Sequence, residues 1–267
     1  AVSLKNIGPP IMQFIENKLK VALREGRPQI GCWLMMASPL SAEICASSGF
    51  DWVLIDMEHT PNDIPQVLSL VHAASAYSAS IAVRAPWNDA VMIKRLLDMG
   101  VQSIMVPNVR TKEEAEAAVA AVRYPPRGIR GVSGNSRSNR FGRITDYFEH
   151  ADDHVCLIAQ IETQVGKDNA EEIASVDGID CLFVGPADLA ADLNYLGKWQ
   201  DPAPQEAMGE VIASALNAGS AAGILAFDEL GAKKWLDRGA TFVAVTGDSF
   251  LLSRGMDAVV KSFRGDI

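Results

Sequence analysis

Short apolar runs rich in β-branched residues alternate along this chain with segments whose apolar positions recur every three or four residues. The first pattern predicts buried strands, and the second predicts helices that pack on them by one face. Strands are expected at Gln29–Met36, Trp52–Ile55, Ser80–Ala85, Ser103–Pro107, Val155–Ile161, Cys181–Val184, Gly223–Ala226 and Thr241–Thr246. A helix is expected from Ser41, behind the capping stretch Ser-Pro-Leu-Ser, and others over Ile64–Tyr77, Asp89–Met99 and Thr111–Arg123. Gly100 closes the third of these, and Thr111 with Glu114 forms a capping box for the fourth. Ala170–Ser175 and Phe250–Phe263 continue the series, the last amphipathic enough to lie on a barrel, its own or a neighbour's.

Eight strands, each followed by a helix, fit a closed (β/α)8 TIM barrel. An open doubly wound sheet would show fewer strands and a Gly-rich first turn. Neither G-x-G-x-x-G nor G-x-x-x-x-G-K-[S/T] occurs, so no nucleotide phosphate cradle is signalled. No linker or low-complexity block interrupts the alternation, and residues 1–267 read as one barrel domain, close to the typical length of about 250 residues.

Composition narrows the function classes. A hydrophobic share of 48% with 21% charged residues is that of an ordinary soluble enzyme. A net charge of −9 argues against nucleic acid as a partner, because phosphate backbones need clustered Lys and Arg. The four cysteines form no CxxC pair and read as small buried thiols in a reducing compartment. No run reaches the roughly 18 apolar residues of a membrane span. The opening AVSLKNIGPPIMQFIENKLK lacks the basic start and apolar core of a secretory leader. The chain therefore reads as cytoplasmic, with no membrane partner.

In such barrels the reacting groups sit at the C-terminal ends of the strands. There the second strand ends in Asp56-Met57-Glu58-His59, the third in Arg84, and the fifth in Gln160-Ile161-Glu162; the sixth runs into Gly185-Pro186-Ala187-Asp188. Taken singly, Glu162 or Asp188 also reads as a helix N-cap or a rim ion pair, and Arg84 as a neutraliser of the acids. Taken together, two carboxylates from neighbouring strand ends, with Gln160 on the same strand face as Glu162, suit a hard cation that keeps open water positions, such as Mg2+ or Mn2+. No second histidine stands nearby for a tetrahedral zinc site. Arg84 is expected to project into the mouth and grip a carboxylate or enolate oxygen, so that its loss would depress turnover far more than stability. His59 follows a strand end beside two acids and is an acid–base candidate; His72, His150 and His154 have no comparable neighbours. No lysine sits convincingly at a strand end, Lys167 beginning or preceding a helix, so Schiff-base chemistry is not expected.

The runs GFDWVLIDMEHTPND, VRAPWND, LLDMGVQSIMVPNV, YPPRGIRGV, QIET and FVGPADLAADL resemble, in order and spacing, the HpcH/HpaI aldolases, from about Gly31 to Phe263. That resemblance implies class II aldol cleavage of a 4-hydroxy-2-oxo acid to pyruvate, or a related 2-oxo acid, and an aldehyde. It implies Glu162 and Asp188 as ligands of Mg2+, Mn2+ or Co2+, Arg84 as the enolate stabiliser, and His59 as the base, its basicity raised by Asp98. Gln160 and the backbone of Ala187 and Asp188 would contact the 2-oxo acid, and the assembly would be a homo-oligomer, usually a hexamer. Asp98 closes a helix, and helices run antiparallel to the strands, so it is expected at the rim opposite His59, reaching the His59 of a neighbouring subunit or simply facing Lys94 or Arg95. The segment GVSGNSRSNRFGR departs from the family's pattern and is expected at the catalytic rim, shaping the aldehyde pocket. Two other readings remain: a CoA-thioester lyase of the malyl- or citramalyl-CoA kind, for which Arg127, Arg130, Arg137, Arg140 and Arg143 would supply a basic surface, and a non-catalytic 2-oxo-acid sensor.

Overall fold

The computed structural model describes residues 12–226 and 228–265; residues 1–11, where the stretch read for a leader begins, lie outside the described residues. A short helix α1 (Lys18–Arg24) precedes β1 (Gln29–Leu34), α2 (Pro39–Ser47), β2 (Trp52–Asp56), α3 (Ile64–Ala74), β3 (Ser80–Arg84), α4 (Ala90–Asp98), β4 (Ser103–Val106) and α5 (Lys112–Val122). The single turn α6 (Tyr147–His150) leads into β5 (Cys156–Ile161), α7 (Gln164–Asp168), α8 (Ala170–Ala174), β6 (Cys181–Val184), α9 (Pro186–Asp192) and α10 (Pro202–Asn217). Then come β7 (Ala221–Leu225), α11 (Glu229–Asp237), β8 (Phe242–Gly247) and α12 (Asp248–Arg264). The eight strands are parallel and close in sequence order, β8 pairing with β1, which makes the fold a (β/α)8 TIM barrel.

Local chemistry starts the helices where the barrel needs them. Asp63, Asp89, Thr111 and Asp228 each accept a hydrogen bond from the backbone N–H three residues on, satisfying a donor the helix leaves open. Ser38 does the same for Ser41, so α2 begins at Pro39, two residues before Ser41; proline's fixed φ suits that first position.

The strand period of two divides the core in two. Outward residues such as Ile55, Val83, Ile104, Leu157 and Val243 pack against the helices, while Trp33, Trp52, Leu54, Met105, Ile158, Phe183 and Phe242 fill the barrel interior. Trp52 and Phe242 stack with centroids 4.1 Å apart, and Trp33 lies 5.5 Å from Phe183. Gly31 makes this filling possible, since a Cβ there would come within 2.1 Å of the Trp52 ring. From below, α1 plugs the barrel: Leu19 and Leu23 join the interior cluster, and Lys20 donates to the Val155 carbonyl and pairs with Asp180 at 3.1 Å. All four cysteines are buried free thiols.

Two expectations are corrected by chain direction. Segment 131–143 follows α5 rather than β4, so it returns at the N-terminal rim, where Arg137 and Arg140 line a recess beside Ser80 and Ser103 at the starts of β3 and β4. It does not reach its own catalytic rim. The arginines read as a CoA surface go with it, Arg127 pairing with Asp152 and Arg130 with Asp98.

The last helix leaves its own barrel. Every residue from Leu251 to Gly265 is exposed, including Leu252, Met256, Val259 and Phe263, which share one stripe of α12. Its start is fixed by the Asp248 carboxylate, which accepts from Met35 N–H at 2.8 Å and the Ser41 hydroxyl at 2.7 Å. Among the described residues no helix is long and apolar enough to cross a membrane.

Candidate active site

The interior faces of β2, β3 and β5 are apolar in the barrel and polar at its mouth. On β2 the inward series Trp52, Leu54 ends in Asp56; on β3 Ala82 is followed by Arg84; on β5 Ile158 is followed by Gln160. The β2–β3 register sets Asp56 beside Arg84. The guanidinium binds that carboxylate through two parallel hydrogen bonds, Nε to Oδ1 at 2.8 Å and Nη2 to Oδ2 at 2.7 Å, both partners buried. It lies 5.3 Å from the Trp33 ring centroid, which supports it from below.

Arg84 Nη1 is the nitrogen left over. It lies 2.9 Å from Glu58 Oε2, off the axis a hydrogen bond needs, since that oxygen has no hydrogen-bond partner among the described residues. Its other contact, to Gln160 Oε1, is long at 3.5 Å. The acids that Arg84 was expected to neutralise are thus Asp56 and Glu58 rather than Glu162 and Asp188. The clamp bears on the expected effect of losing Arg84: the fully buried Asp56 would be stranded, so stability is expected to fall along with turnover.

Glu162 follows β5, buried, and accepts from Gln160 Nε2 at 2.6 Å. Burial, then the charges of Glu58 and Asp188, push its carboxyl up to about 8, against the pull of Arg84 and the Asn108 backbone N–H. Burial likewise raises Glu58, offset by Arg84 and His59. Asp188 and Ala187 stand exposed in the first turn of α9. Neither Glu162 nor Asp188 caps a helix: Thr163 caps α7, and α9 has no side-chain cap. Gly185 leaves room for the pair, since a Cβ there would come within 2.7 Å of both Gln160 Nε2 and Glu162 Oε2.

His59 follows at the rim, exposed, with Nε2 3.9 Å from Glu58 Oε2. It lines a cavity of about 150 Å³ together with Trp33, Arg84, Gln160, Ala187 and Asp188. Asp98 is not there. It ends α4 at the opposite rim, where Oδ1 lies 3.5 Å from Arg130 Nη2, so its partner is neither Lys94 nor Arg95. Lys167 is occupied by Glu210 at 2.6 Å. Asp56, Glu58, Trp33 and Asn108 are the mouth residues to which no role was assigned from sequence; strand parity and the β2–β3 register were the available signals for Asp56.

The donor set fits a divalent cation. Among the described residues Glu162 and Asp188 make no ion pair, and their mutual repulsion is what a cation would relieve. No group of three or more His, Cys, Asp or Glu side chains poised for a metal exists among the described residues. A cation held by these two carboxylates would complete its shell with water or substrate oxygens, as Mg2+ does.

The mouth of the closed barrel thus gathers a clamped arginine, an exposed histidine and carboxylates without ion-pair partners among the described residues. Residues 29–254 match the profile of the HpcH/HpaI aldolase/citrate lyase family, and the chain belongs to that family. It is an aldolase, a carbon–carbon lyase. It is 48% identical over 250 residues to a 4-hydroxy-2-oxo-heptane-1,7-dioate aldolase of Shigella sonnei, covering 93% of this chain and 95% of that one. It is 49% identical, over 93% of this chain and 95% of that one, to the protein of the same name from Salmonella arizonae. A solved structure of a HpcH/HpaI aldolase/citrate lyase family protein from Burkholderia cenocepacia superimposes with a TM-score of 0.90 at 39% identity, covering 93% of this chain and 99% of that one.

Breaking a buried pair by removing one partner costs about 3–5 kcal/mol. Arg84→Ala and Asp56→Ala are each expected to lose unfolding free energy on that order in urea titrations; a loss below about 1 kcal/mol would refute the clamp. Glu162 gives a second test. Its carboxyl is raised only in the folded chain, so its contribution to stability is present below the unfolded value of 4.5 and lost as pH rises through about 8. Metal-stripped protein should therefore lose melting temperature across that window, Glu162→Gln should flatten the loss, and divalent-metal affinity should strengthen over the same range as Glu162 gives up its proton.

Proposed function

We propose that the chain cleaves a 4-hydroxy-2-oxo acid of the 4-hydroxy-2-oxoheptanedioate class to pyruvate and an aldehyde, using a divalent cation of the Mg2+, Mn2+ or Co2+ kind held by Glu162 and Asp188. The observation that carries this is the pair of carboxylates without ion-pair partners among the described residues, mutually repelling and close to an arginine already fixed by another acid, with Asp188 and that arginine lining one cavity. When bound, the cation polarises the 2-oxo group and stabilises negative charge on its oxygen.

The chain's own groups do the rest. Gln160 and the first-turn backbone of Ala187 and Asp188 orient the 2-oxo acid end. His59 takes the proton of the C4 hydroxyl, directly or through water; the C3–C4 bond breaks, its electrons become the C2–C3 double bond of the pyruvate enolate, and C4 leaves as the aldehyde. Arg84 Nη1 trades its long bond to Gln160 for the developing enolate oxygen. Asp56 holds the fork still while that happens, so the donor is aimed before charge appears. C3 then takes a proton, from His59 or through water, to give pyruvate. The same reading gives Asp98 its role in trans, on the His59 of an adjoining subunit, and α12 supports such an assembly. Its bare stripe of Leu252, Met256, Val259 and Phe263 suits the outer wall of another copy's barrel.

Chelation is expected to abolish pyruvate-forming activity, and added Mg2+ or Mn2+ to restore it; borohydride with pyruvate should leave the protein's mass unchanged, and a reduced adduct would instead mean imine chemistry. Arg84→Lys, which keeps the charge and loses the fork, is expected to lower kcat by about 10²–10³-fold. For the assembly, Val259→Asp with Phe263→Asp should yield smaller particles in analytical ultracentrifugation; an unchanged sedimentation coefficient would remove α12 from the interface.

A further inference from the structure

Two thiols touch where β1 meets α2. Cys32 points outward from β1, and its Sγ donates to that of Cys45 on α2 at 3.8 Å. Both are free. Cys156 and Cys181, sealed inside the barrel, make no such contact among the described residues. Cys32 is fully buried, whereas Cys45 keeps 6% of its surface exposed on a short helix and is the sulfur a small oxidant can reach.

The two sulfurs are not equivalent. The hydrogen bond from Cys32 holds the Cys45 thiol below its usual value, against burial and the Asp248 charge, and Ser41 adds to the lowering. The same bond, and then burial, push the Cys32 thiol up. Cys45 is thus the sulfur inclined to the reactive thiolate, and Cys32 is a second thiol in contact with it.

The chain between them runs through the lyase mouth. Trp33 and Met35 line the cavity there. The Met35 N–H and the Ser41 hydroxyl both donate to the Asp248 carboxylate that starts α12. A disulfide holds its sulfurs about 2.0 Å apart, so closing a gap of 3.8 Å draws α2 toward β1 and shifts Ser41, Asp248 and Met35 with it.

We propose that Cys32 and Cys45 form a reversible oxidation site, which closes to a disulfide under a peroxide and slows the lyase while closed. The Cys45 thiolate attacks the peroxide O–O bond, taking one oxygen as sulfenic acid while the other leaves as hydroxide. Cys32 then attacks that sulfur, and its proton departs with the displaced oxygen as water. In sum, two thiols and one hydrogen peroxide give one disulfide and two waters, and a dithiol reductant reopens the pair. Bond formation is independent of the lyase reading; the effect on turnover rests on it.

Hydrogen peroxide added to the reduced full-length protein, followed by mass spectrometry without reductant, tests the bond. Cleavage at Glu43 separates the two cysteines unless a disulfide joins the fragments. Pyruvate formation is measured before oxidation, after it, and after dithiothreitol. Cys45→Ala and Cys45→Ser each remove the pair, the second keeping the volume in case the first unfolds. The wild type is expected to lose two hydrogens, to link the fragments that carry Cys32 and Cys45, and to slow by at least about tenfold, the scale of a small misplacement in an active site. Dithiothreitol should reverse all three, and both variants should keep their turnover under the same peroxide. Absence of the link, a link to Cys156 or Cys181, a link that leaves turnover unchanged, or variants slowed as much as the wild type would overturn the proposal. A reduced wild type that forms no pyruvate would fail the lyase reading alone, and the masses would still decide the bond.

Discussion

Arg84 carries its charge almost out of contact with water, and the mouth of the barrel is arranged around the need to compensate it. Asp56 does so with a two-point bond that the β2–β3 register makes available and that a lysine could not reproduce. Because Nε and Nη2 are both used, the planar group cannot rotate, and its third nitrogen is held toward Glu58, Gln160 and the cavity. A donor fixed in this way needs no reorganisation when negative charge develops in front of it, which is the condition for electrostatic catalysis.

The same compensation leaves the rest of the mouth with too much negative charge. Four carboxylates, those of Asp56, Glu58, Glu162 and Asp188, share one guanidinium, and Asp56 takes most of it. Glu162 bears the consequence, buried among acids with a raised carboxyl. The folded chain thus holds in place a charge arrangement that is unfavourable alone and that a bound cation would relieve. Stability given up at a functional site and restored by a ligand is an expected property of such centres.

Much of this was legible in the residue pattern. The eight apolar runs marked the strands because a parallel barrel buries both faces of each, and the polar residues at their ends marked the mouth. Asp56 was harder to read, since along the chain it stands beside Glu58 and His59, and only pairing between strands reveals that its partner is Arg84. The position of segment 131–143 followed from helix direction, yet its distance in sequence from β4 hid the intervening reversal by α5. Asp98 shows the limit of local reasoning: its placement at the far rim could be deduced, but its partner Arg130 comes from a turn 32 residues away in sequence. The apolar stripe of α12 was visible too, although periodicity says that a face is buried and not against which chain.

Anomalous diffraction from crystals grown with Mn2+ and pyruvate tests the central claim most directly. The account predicts a single strong peak within bonding distance of Glu162 and Asp188, with Arg84 still forked on Asp56 and its Nη1 on a pyruvate oxygen. A peak elsewhere, or an Arg84 released from Asp56 to ligand-facing Glu162, would contradict it.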